Sequence, residues 1–291
     1  MPIDRASLEQ FANLYLDSLA ARDPSRLPLH PAFQLRENGQ ALQLGDGLWG
    51  TASARGNYEH IVVDPESAGI AIVAVMRENG RPVIVGIRLA LIDGLLAEAE
   101  MIVSRTDILF YKNGPQNLEA LGGPLPLWVE IVPQSERASR EELIALAEAY
   151  FNTLERNDGR YIAPFHDDCR RTDNGVYATQ APELDPEDGP PYYALGPAQQ
   201  FALGYFIFVT EIRERRHIVM DVERGVIASQ AFLDHAGTIH EAHLTDGRTV
   251  PVNVRQPFSW QVLELFKIRD GKIAQIEVVL NMVPYRMASG F

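Results

Sequence analysis

The sequence is poor in cysteine and lacks the short motifs that mark the common cofactor-dependent enzymes. Its 291 residues include one cysteine, Cys169, so no disulfide can form within the chain. Glycine-rich dinucleotide and phosphate loops, the G-x-S-x-G elbow and the H-E-x-x-H zinc motif are absent. His240 and His243 lie three residues apart, but no matching cysteine or carboxylate cluster accompanies them. We therefore expect chemistry that needs neither a metal nor another cofactor.

Long apolar runs and basic clusters are also missing. Hydrophobic residues make up 46% of the chain, yet charges interrupt them too often for a membrane-spanning segment. The net charge of −13 argues against nucleic acids and anionic membranes as partners, because both attract clustered lysine and arginine. With one cysteine and no recognisable secretory leader, a cytoplasmic location is expected.

The sequence does contain an internal repeat. The stretch SREELIALAEAYFNTLERNDGRYIAPFHDDCRRTDNG, from Ser139, matches SLEQFANLYLDSLAARDPSRLPLHPAFQLRENG, from Ser7. The repeat predicts two domains, 1–133 and 134–291, at the typical size of independently folding units. The segment 106–138, rich in proline and glycine, is interpreted as an extended linker.

Each copy has a helix followed by long strands. Ser139 and Ser7 each begin an S-x-x-E/Q capping box, and apolar residues then recur at helical spacing. A second, shorter helix is predicted after each first helix. The Asp-Gly pairs at 93–94 and 270–271 join apolar, β-branched runs, which is the strongest short hairpin signal. This order predicts an α+β fold, built twice.

The motif FHDDCRRTDNG, together with an inward tyrosine on the preceding helix, resembles the NTF2-like superfamily of SnoaL-like cyclases, scytalone dehydratase and ketosteroid isomerase. The resemblance covers nearly the whole chain. It implies two tandem cone-shaped α+β barrels, each a curled antiparallel sheet wrapped around helices. It also implies that Asp173 is a general base and that Tyr150 donates a hydrogen bond to an oxyanion. The first copy departs from the motif, because Glu37 replaces the aspartate, and Tyr15 is its matched tyrosine.

Further residues are candidates for the site. His217 and His60 begin matched strands, and each is either a general acid or a histidine that caps a strand at the surface. Counting back from the Asp-Gly turn places Glu264 opposite Glu277, where they either face solvent or form part of a site. The same counting puts Arg88 on the face opposite that of its glutamate neighbours. The residues expected to bind substrate are Arg36, Trp49 (on a lid helix at the cone mouth), Arg88, Arg171, Asn174, Tyr193, Trp260, Glu264 and Glu277.

Three functions are consistent with this pattern. The first is a cofactor-independent acid–base lyase that dehydrates a hydrophobic, aromatic, hydroxylated small molecule, with or without C–C cleavage such as loss of formaldehyde. The second is an isomerase or cyclase of the ketosteroid isomerase or SnoaL type. The third is a non-catalytic module that binds a small molecule or a protein. In each case we expect the two copies to pack sheet against sheet as a pseudo-dimer within the chain, with further homo-oligomers left open. Polar residues that converge inside either cone would favour an enzyme.

Overall fold

The computed structural model describes residues 3–105, 112–185 and 192–290. The first half opens with a helix whose N-cap is Asp4, since the Asp4 side chain accepts the backbone N–H of Ser7. The helix therefore begins about one turn before the predicted capping box at Ser7, so that prediction is wrong. The elements of this half are α1 (Arg5–Ala21), β1 (Leu29–Glu37), β2 (Gln40–Leu42), α2 (Leu48–Thr51), β3 (Ala52–Asp64), β4 (Gly69–Glu78), β5 (Arg81–Ile92) and β6 (Leu95–Ser104).

The segment between the halves is not an extended linker. It contains two helices, α3 (Gly114–Leu121) and α4 (Pro126–Val129). Gly114 lies so close to the second half that an added Cβ would come within 1.8 Å of the Asn174 carbonyl oxygen. Leu118 and Trp128 are buried against both sheets. Proline and glycine here shape short helices that cover the junction.

The second half repeats the architecture of the first. The Ser139 capping box forms as predicted, with the Ser139 hydroxyl accepting the Glu142 N–H and the Glu142 carboxylate accepting the Ser139 N–H. The elements are α5 (Arg140–Arg156), β7 (Phe165–Asp173), β8 (Val176–Tyr177), α6 (Pro197–Ala202), β9 (Glu211–Asp221), β10 (Val226–His235), β11 (Glu241–His243), β12 (Thr249–Pro251), β13 (Phe258–Arg269) and β14 (Lys272–Val283).

Both sheets have six strands in the same order, β2-β1-β6-β5-β4-β3 and β8-β7-β14-β13-β10-β9. The tandem α+β fold predicted from the repeat is confirmed, because both halves place helices against a six-stranded sheet of the same strand order. The sheets differ from the expectation in one respect, because β1 pairs parallel with β6 and β7 pairs parallel with β14. Each is an open mixed sheet in the described ranges, not a closed antiparallel barrel.

The predicted second helices do not form. A single 3-10 turn, Pro24–Arg26, follows α1, and no helix lies between α5 and β7, where all residues are described. His30 and His166 lie in β1 and β7. The sequence from 180 to 191 is acidic and rich in proline, and its residues 186–191 lie outside the described residues. None of the described helices is long and apolar enough to span a bilayer.

Alternation along the strands gives each sheet two buried faces. One face packs on the helix of its own half, and we call the enclosed space the first cone (α1 with β1–β6) or the second cone (α5 with β7–β10, β13 and β14). The other faces meet in one apolar cluster, the inter-sheet interface. Its members include Tyr58, Val73, Val75, Ile84, Val219, Ala228, Leu263, Leu265 and Val279.

Reciprocal ion pairs tie the helix of each half to the sheet of the other. Arg5 at the start of α1 binds both carboxylate oxygens of Asp221, at 2.8 and 2.6 Å. Arg140 at the start of α5 binds both oxygens of Asp64, at 3.0 and 2.7 Å. These residues occupy matched positions in the repeat, so the halves are related by an approximate two-fold axis.

Candidate functional site

Polar side chains converge inside the second cone from α5, β7 and β13. Arg171 and Asp173 lie opposite Ile276 and Val278 of β14, whose side chains belong to the cone core. Glu264 lies on the cone face of β13, between the core residues Val262 and Phe266. Tyr150 projects from α5 toward them. The prediction named all four, and the fold brings them together.

Arg171 holds two of these groups. Its Nε lies 3.1 Å from Asp173 Oδ1, and both side chains are almost fully buried. The Arg171 guanidinium also hydrogen-bonds the Tyr150 hydroxyl. On its other side it lies 5.7 Å from the ring centre of Phe206. The guanidinium thus supplies the counter-charge for Asp173 inside an aromatic enclosure.

Glu264 has no such counter-charge of its own. The residue is 2% exposed, and its Oε2 has no hydrogen-bond partner among the described residues. Burial, followed by the charge of the Asp173 carboxylate, raises the pKa of the Glu264 carboxyl to about 8 against the opposing charge of Arg171. At neutral pH Glu264 is therefore mainly a neutral carboxylic acid beside a charged aspartate.

Tyr150 is positioned by aromatic packing. Its ring contacts four phenylalanine rings at centroid distances of 4.9 to 6.4 Å; these are Phe151, Phe165, Phe201 and Phe266. Burial, followed by the charge of Glu264, raises the pKa of Tyr150 well above its ordinary value. The hydroxyl therefore keeps its proton and can donate it in a hydrogen bond.

A β-bulge turns His217 toward the same cone. Val219 pairs with Ala228 and His217 pairs with Ser229, so Ile218 is an extra residue on β9. His217 Nδ1 lies 2.9 Å from Ser229 Oγ, and Nε2 lies 2.9 Å from Oε1 of Glu148 on α5. The sequence prediction missed Ser229 and Glu148. A signal was present, because Ser229 interrupts the apolar residues on the cone face of β10.

The first cone holds its acid in a different environment. Glu37 Oε2 accepts the backbone N–H of Leu48 at 2.7 Å, and Oε1 binds Arg105 at 2.6 Å. Tyr15 accepts a hydrogen bond from Trp49 Nε1 at 3.3 Å. Trp49 lies on α2, is 1% exposed and packs edge-on against Tyr15 in the core of the first cone.

His60 lies in the inter-sheet interface and not in the first cone. Its Nδ1 is 2.6 Å from Oε2 of Glu277, and Tyr58 donates to Glu277 Oε1 at 2.8 Å. Glu277 pairs with Leu265, whereas Glu264 pairs with Val278. The predicted pairing of the two glutamates is therefore off by one residue, and they point to opposite faces of the sheet.

Three other expected substrate ligands also lie outside the cones. Arg88 pairs with Glu100 on the interface face of β5 and binds Glu98 at 2.6 Å, so its predicted orientation is wrong. Arg36 lies on the face of β1 that points away from the first cone and donates to the Gly290 carbonyl at 3.0 Å. Asn174 bridges Ser104 Oγ and the Leu280 carbonyl in a turn between the halves.

Aromatic residues line the approach to the second cone. Tyr193 is partly buried, and burial raises its pKa to about 12 while the charges of Arg171 and Asp173 also act on it. Trp260 is partly buried and packs on Phe258 and on the cone core. Of these two predicted substrate ligands, Tyr193 thus lies near the Arg171–Asp173 pair, whereas Trp260 packs among aromatic and core residues.

The cysteine and the paired histidines form no further site. Burial raises the pKa of the Cys169 thiol to about 12, so it is not a reactive thiolate at neutral pH. His240 and His243 are exposed, and no group of three histidine, cysteine or acidic residues within the described ranges could hold a metal ion.

The comparison with protein families gives a match in the second half of the chain. A family model described as a domain of unknown function, DUF8021, matches residues 136–280, just under half of the chain. No protein with curated annotation matches the sequence. The second half of the chain is thus similar to the DUF8021 family.

Several solved structures are similar in fold to part of the chain. A protein of unknown function with a cystatin-like fold from Methylobium petroleophilum is 16% identical, with 37% of this chain and 82% of that chain covered and a TM-score of 0.30. A candidate polyketide cyclase from Xanthomonas campestris is 17% identical, with coverages of 50% and 93% and a TM-score of 0.29. A candidate isomerase from Rhodopseudomonas palustris is 12% identical, with coverages of 50% and 92% and a TM-score of 0.29.

Proposed function

We propose that the second half is a cofactor-independent acid–base enzyme that dehydrates a small, hydrophobic, hydroxylated carbonyl compound. The observation that supports this most directly is the pair of buried carboxyl groups in one cone, Asp173 at 3.1 Å from the Arg171 Nε and Glu264 with an Oε2 that has no hydrogen-bond partner among the described residues. Where the surroundings of two carboxyl groups drive their protonation states apart, one can act as the base and the other as the acid.

Each group has a role in an elimination. The Asp173 carboxylate removes a proton from the carbon next to the substrate carbonyl, and the electron pair moves onto the carbonyl oxygen. Tyr150 and Arg171 stabilise that oxygen, because their donors point into a site that excludes water. The electron pair then returns to form the C=C bond as the C–O bond breaks, and the Glu264 proton leaves with the hydroxyl as water.

The separate acid favours dehydration over isomerisation. A double-bond isomerase can return the proton that its base removed, whereas expulsion of hydroxide needs a second proton donor. Glu264 is such a donor near neutral pH. The aromatic residues Tyr193 and Phe206 suit an aromatic substrate, since they lie near the Arg171–Asp173 pair. Isomerisation or ring closure remains the second candidate, since both share the first proton transfer.

The test compares matched acids of the two cones. Hydroxylated aromatic ketones are incubated with the full chain in D2O after dialysis against a chelator, and mass spectrometry follows loss of water and deuterium uptake. We expect Asp173→Asn to lower turnover roughly a hundred- to ten-thousandfold. The matched control, Glu37→Gln, should leave turnover unchanged, because Glu37 is occupied by Leu48 and Arg105.

Other outcomes point elsewhere. Loss of turnover in Glu37→Gln with normal turnover in Asp173→Asn would move the active site to the first cone. Deuterium uptake without loss of water would favour the isomerase. Binding of a ketone by the wild type and by Asp173→Asn alike, with turnover in neither, would identify a binding module.

A further inference from the structure

A row of polar side chains leads from the surface of α5 to the interior of the second cone. Glu148, whose side chain is 34% exposed, contacts His217, whose side chain is 12% exposed. His217 contacts the fully buried Ser229 on the other side of its ring. The row thus connects solvent to a position deep in the cone.

The hydrogen bonds of this row have a defined direction. Arg215 binds Glu148 at 2.9 Å, which supports an ionised carboxylate that can only accept hydrogen bonds. His217 Nε2 therefore donates to Glu148, and Nδ1 accepts the Ser229 hydroxyl. The Ser229 oxygen keeps a lone pair with which it can accept one more hydrogen bond.

Ser229 faces Glu264. The two residues are directly opposite on neighbouring strands β10 and β13. Such cross-strand neighbours on one face have Cβ atoms roughly 4.5–5.5 Å apart, which a glutamate side chain can span. Glu264 Oε2 is buried without a hydrogen-bond partner in the described part of the chain.

We infer that Glu148, His217 and Ser229 form a proton path that connects the buried Glu264 carboxyl to solvent. The inference rests on the proposed function for its purpose, since each dehydration removes the Glu264 proton and a closed cone delays its replacement. The first cone has no equivalent, because its matched positions hold Asn13, Ile72 and Ile87.

The proton shifts balance in both directions. Outward, Glu264 passes its proton to Ser229 Oγ, Ser229 passes its own to Nδ1, and Nε2 passes its proton to Glu148, which exchanges with solvent. Inward, the same three shifts run in reverse from the Nδ1–H tautomer that an outward passage leaves, so one outward and one inward passage exchange the Glu264 proton with solvent. Refilling Glu264 after a dehydration requires His217 to return to the Nδ1–H tautomer before each turnover. One carboxyl group gains the proton that the other loses, and no other reactant is needed.

The experiment measures proton exchange at Glu264 without a substrate. Infrared spectroscopy identifies the carboxylic acid C=O band that disappears in Glu264→Gln, and its shift is timed after transfer of the full chain into D2O. We expect Ser229→Ala and Glu148→Gln to slow this shift by roughly tenfold or more. Glu148→Gln changes a partly exposed side chain, so it remains informative if Ser229→Ala fails to fold.

Glu155→Gln is the matched control. Glu155 lies on the same helix and also binds Arg215, at 2.7 Å, but its other carboxylate oxygen accepts the Ile212 N–H rather than a proton of His217. The exchange rate of the Glu264 proton in Glu155→Gln should equal that in the wild type. Unchanged exchange in Ser229→Ala and Glu148→Gln, or a wild type without a Glu264 acid band at neutral pH, would overturn the proton path.

The result is separable from that of the proposed function. Slowed exchange in the path variants with no dehydration activity in the wild type would support the path and reject the function. Turnover that depends on Asp173, together with unchanged exchange in the path variants, would support the proposed function and reject the path.

Discussion

The two cones have the same strand order and a matched tyrosine on the same helix, yet their interiors differ in polarity. The second cone has Arg171, Ser229 and Glu264 at positions where the first has Leu35, Ile72 and Ile87, all of them in its hydrophobic core or packed on its cone face. The acid that the first cone retains, Glu37, has both oxygens occupied. A matched acid is therefore a weak guide to chemistry, because its neighbours decide whether it is available.

The matched histidines teach the same lesson about the backbone. His60 and His217 both lie four residues before an aspartate that closes the strand. In the first half β3 and β4 pair without a bulge here, and His60 lies opposite the interface residue Val73. In the second half the bulge at Ile218 turns His217 into the cone, and Arg216 takes the place at the interface. One extra residue thus exchanges the faces of two side chains.

The largest expected effect concerns the interface carboxylates. Glu100 accepts two hydrogen bonds from the Arg216 guanidinium, at 2.8 and 2.9 Å, whereas Glu277 is held by the Tyr58 hydroxyl and a ring nitrogen of His60. Glu100→Ala should cost roughly 3–5 kcal/mol of unfolding free energy, because a guanidinium loses its buried counter-charge. Glu277→Ala should cost about 1–2 kcal/mol for lost hydrogen bonds. Urea unfolding at pH 7 measures the loss of unfolding free energy in both variants. Equal losses would show that the guanidinium charge beside Glu100 makes no difference.

The second prediction concerns the pH dependence of stability. Above the ordinary Glu value of 4.5, the unfolded chain loses the Glu264 proton while the folded cone keeps it up to a pKa of about 8. The native state then binds more protons, so stability falls with rising pH in this window and levels off above it. Relative to Glu264→Gln, the wild type should lose on the order of 3 kcal/mol between pH 5 and pH 8.

The control for the Glu264 prediction is Ile87, at the matched position of the first cone. Ile87→Val should cost about 1 kcal/mol at both pH values, because it removes a methylene and no titratable group. A wild type whose stability runs parallel to that of Glu264→Gln over the whole range would contradict the buried neutral acid.

The smallest effect tests the reciprocal ion pairs of the halves. Asp64 also accepts hydrogen bonds from the Ser67 hydroxyl and the Met220 N–H, whereas Asp221 keeps the Arg224 N–H. Arg140→Ala should therefore cost about 1 kcal/mol and Arg5→Ala about 2 kcal/mol. Thermal unfolding of both variants and of the double variant measures this. A larger loss of stability in Arg140→Ala than in Arg5→Ala would mean that the remaining hydrogen bonds of Asp64 do not compensate for the lost arginine.

Local patterns predicted much of the fold. The apolar spacing and the Ser139 capping box give α5, and the Asp-Gly pairs give hairpins in which both turn residues have positive φ, at 52° and 78° and at 52° and 69°. The linker prediction failed because proline and glycine also start and end short helices, as they do in α3. The prediction of a second short helix failed because a single 3-10 turn, Pro24–Arg26, and an irregular segment, 157–164, lead into β1 and β7.

The sequence by itself determined the repeat and the α+β order, because these depend on spacing along the chain, and Tyr150 and Asp173 of the polar group were implied by the resemblance of its motif to the NTF2-like superfamily. Only the tertiary structure decided which face each side chain occupies. Register and bulges depend on pairing between distant strands, so Glu264 and Glu277 separate by one residue of register. Pairing likewise sends His60 to the interface and His217 to the cone. Burial then gives the carboxyl group of Glu264 a protonation state that its type alone does not predict.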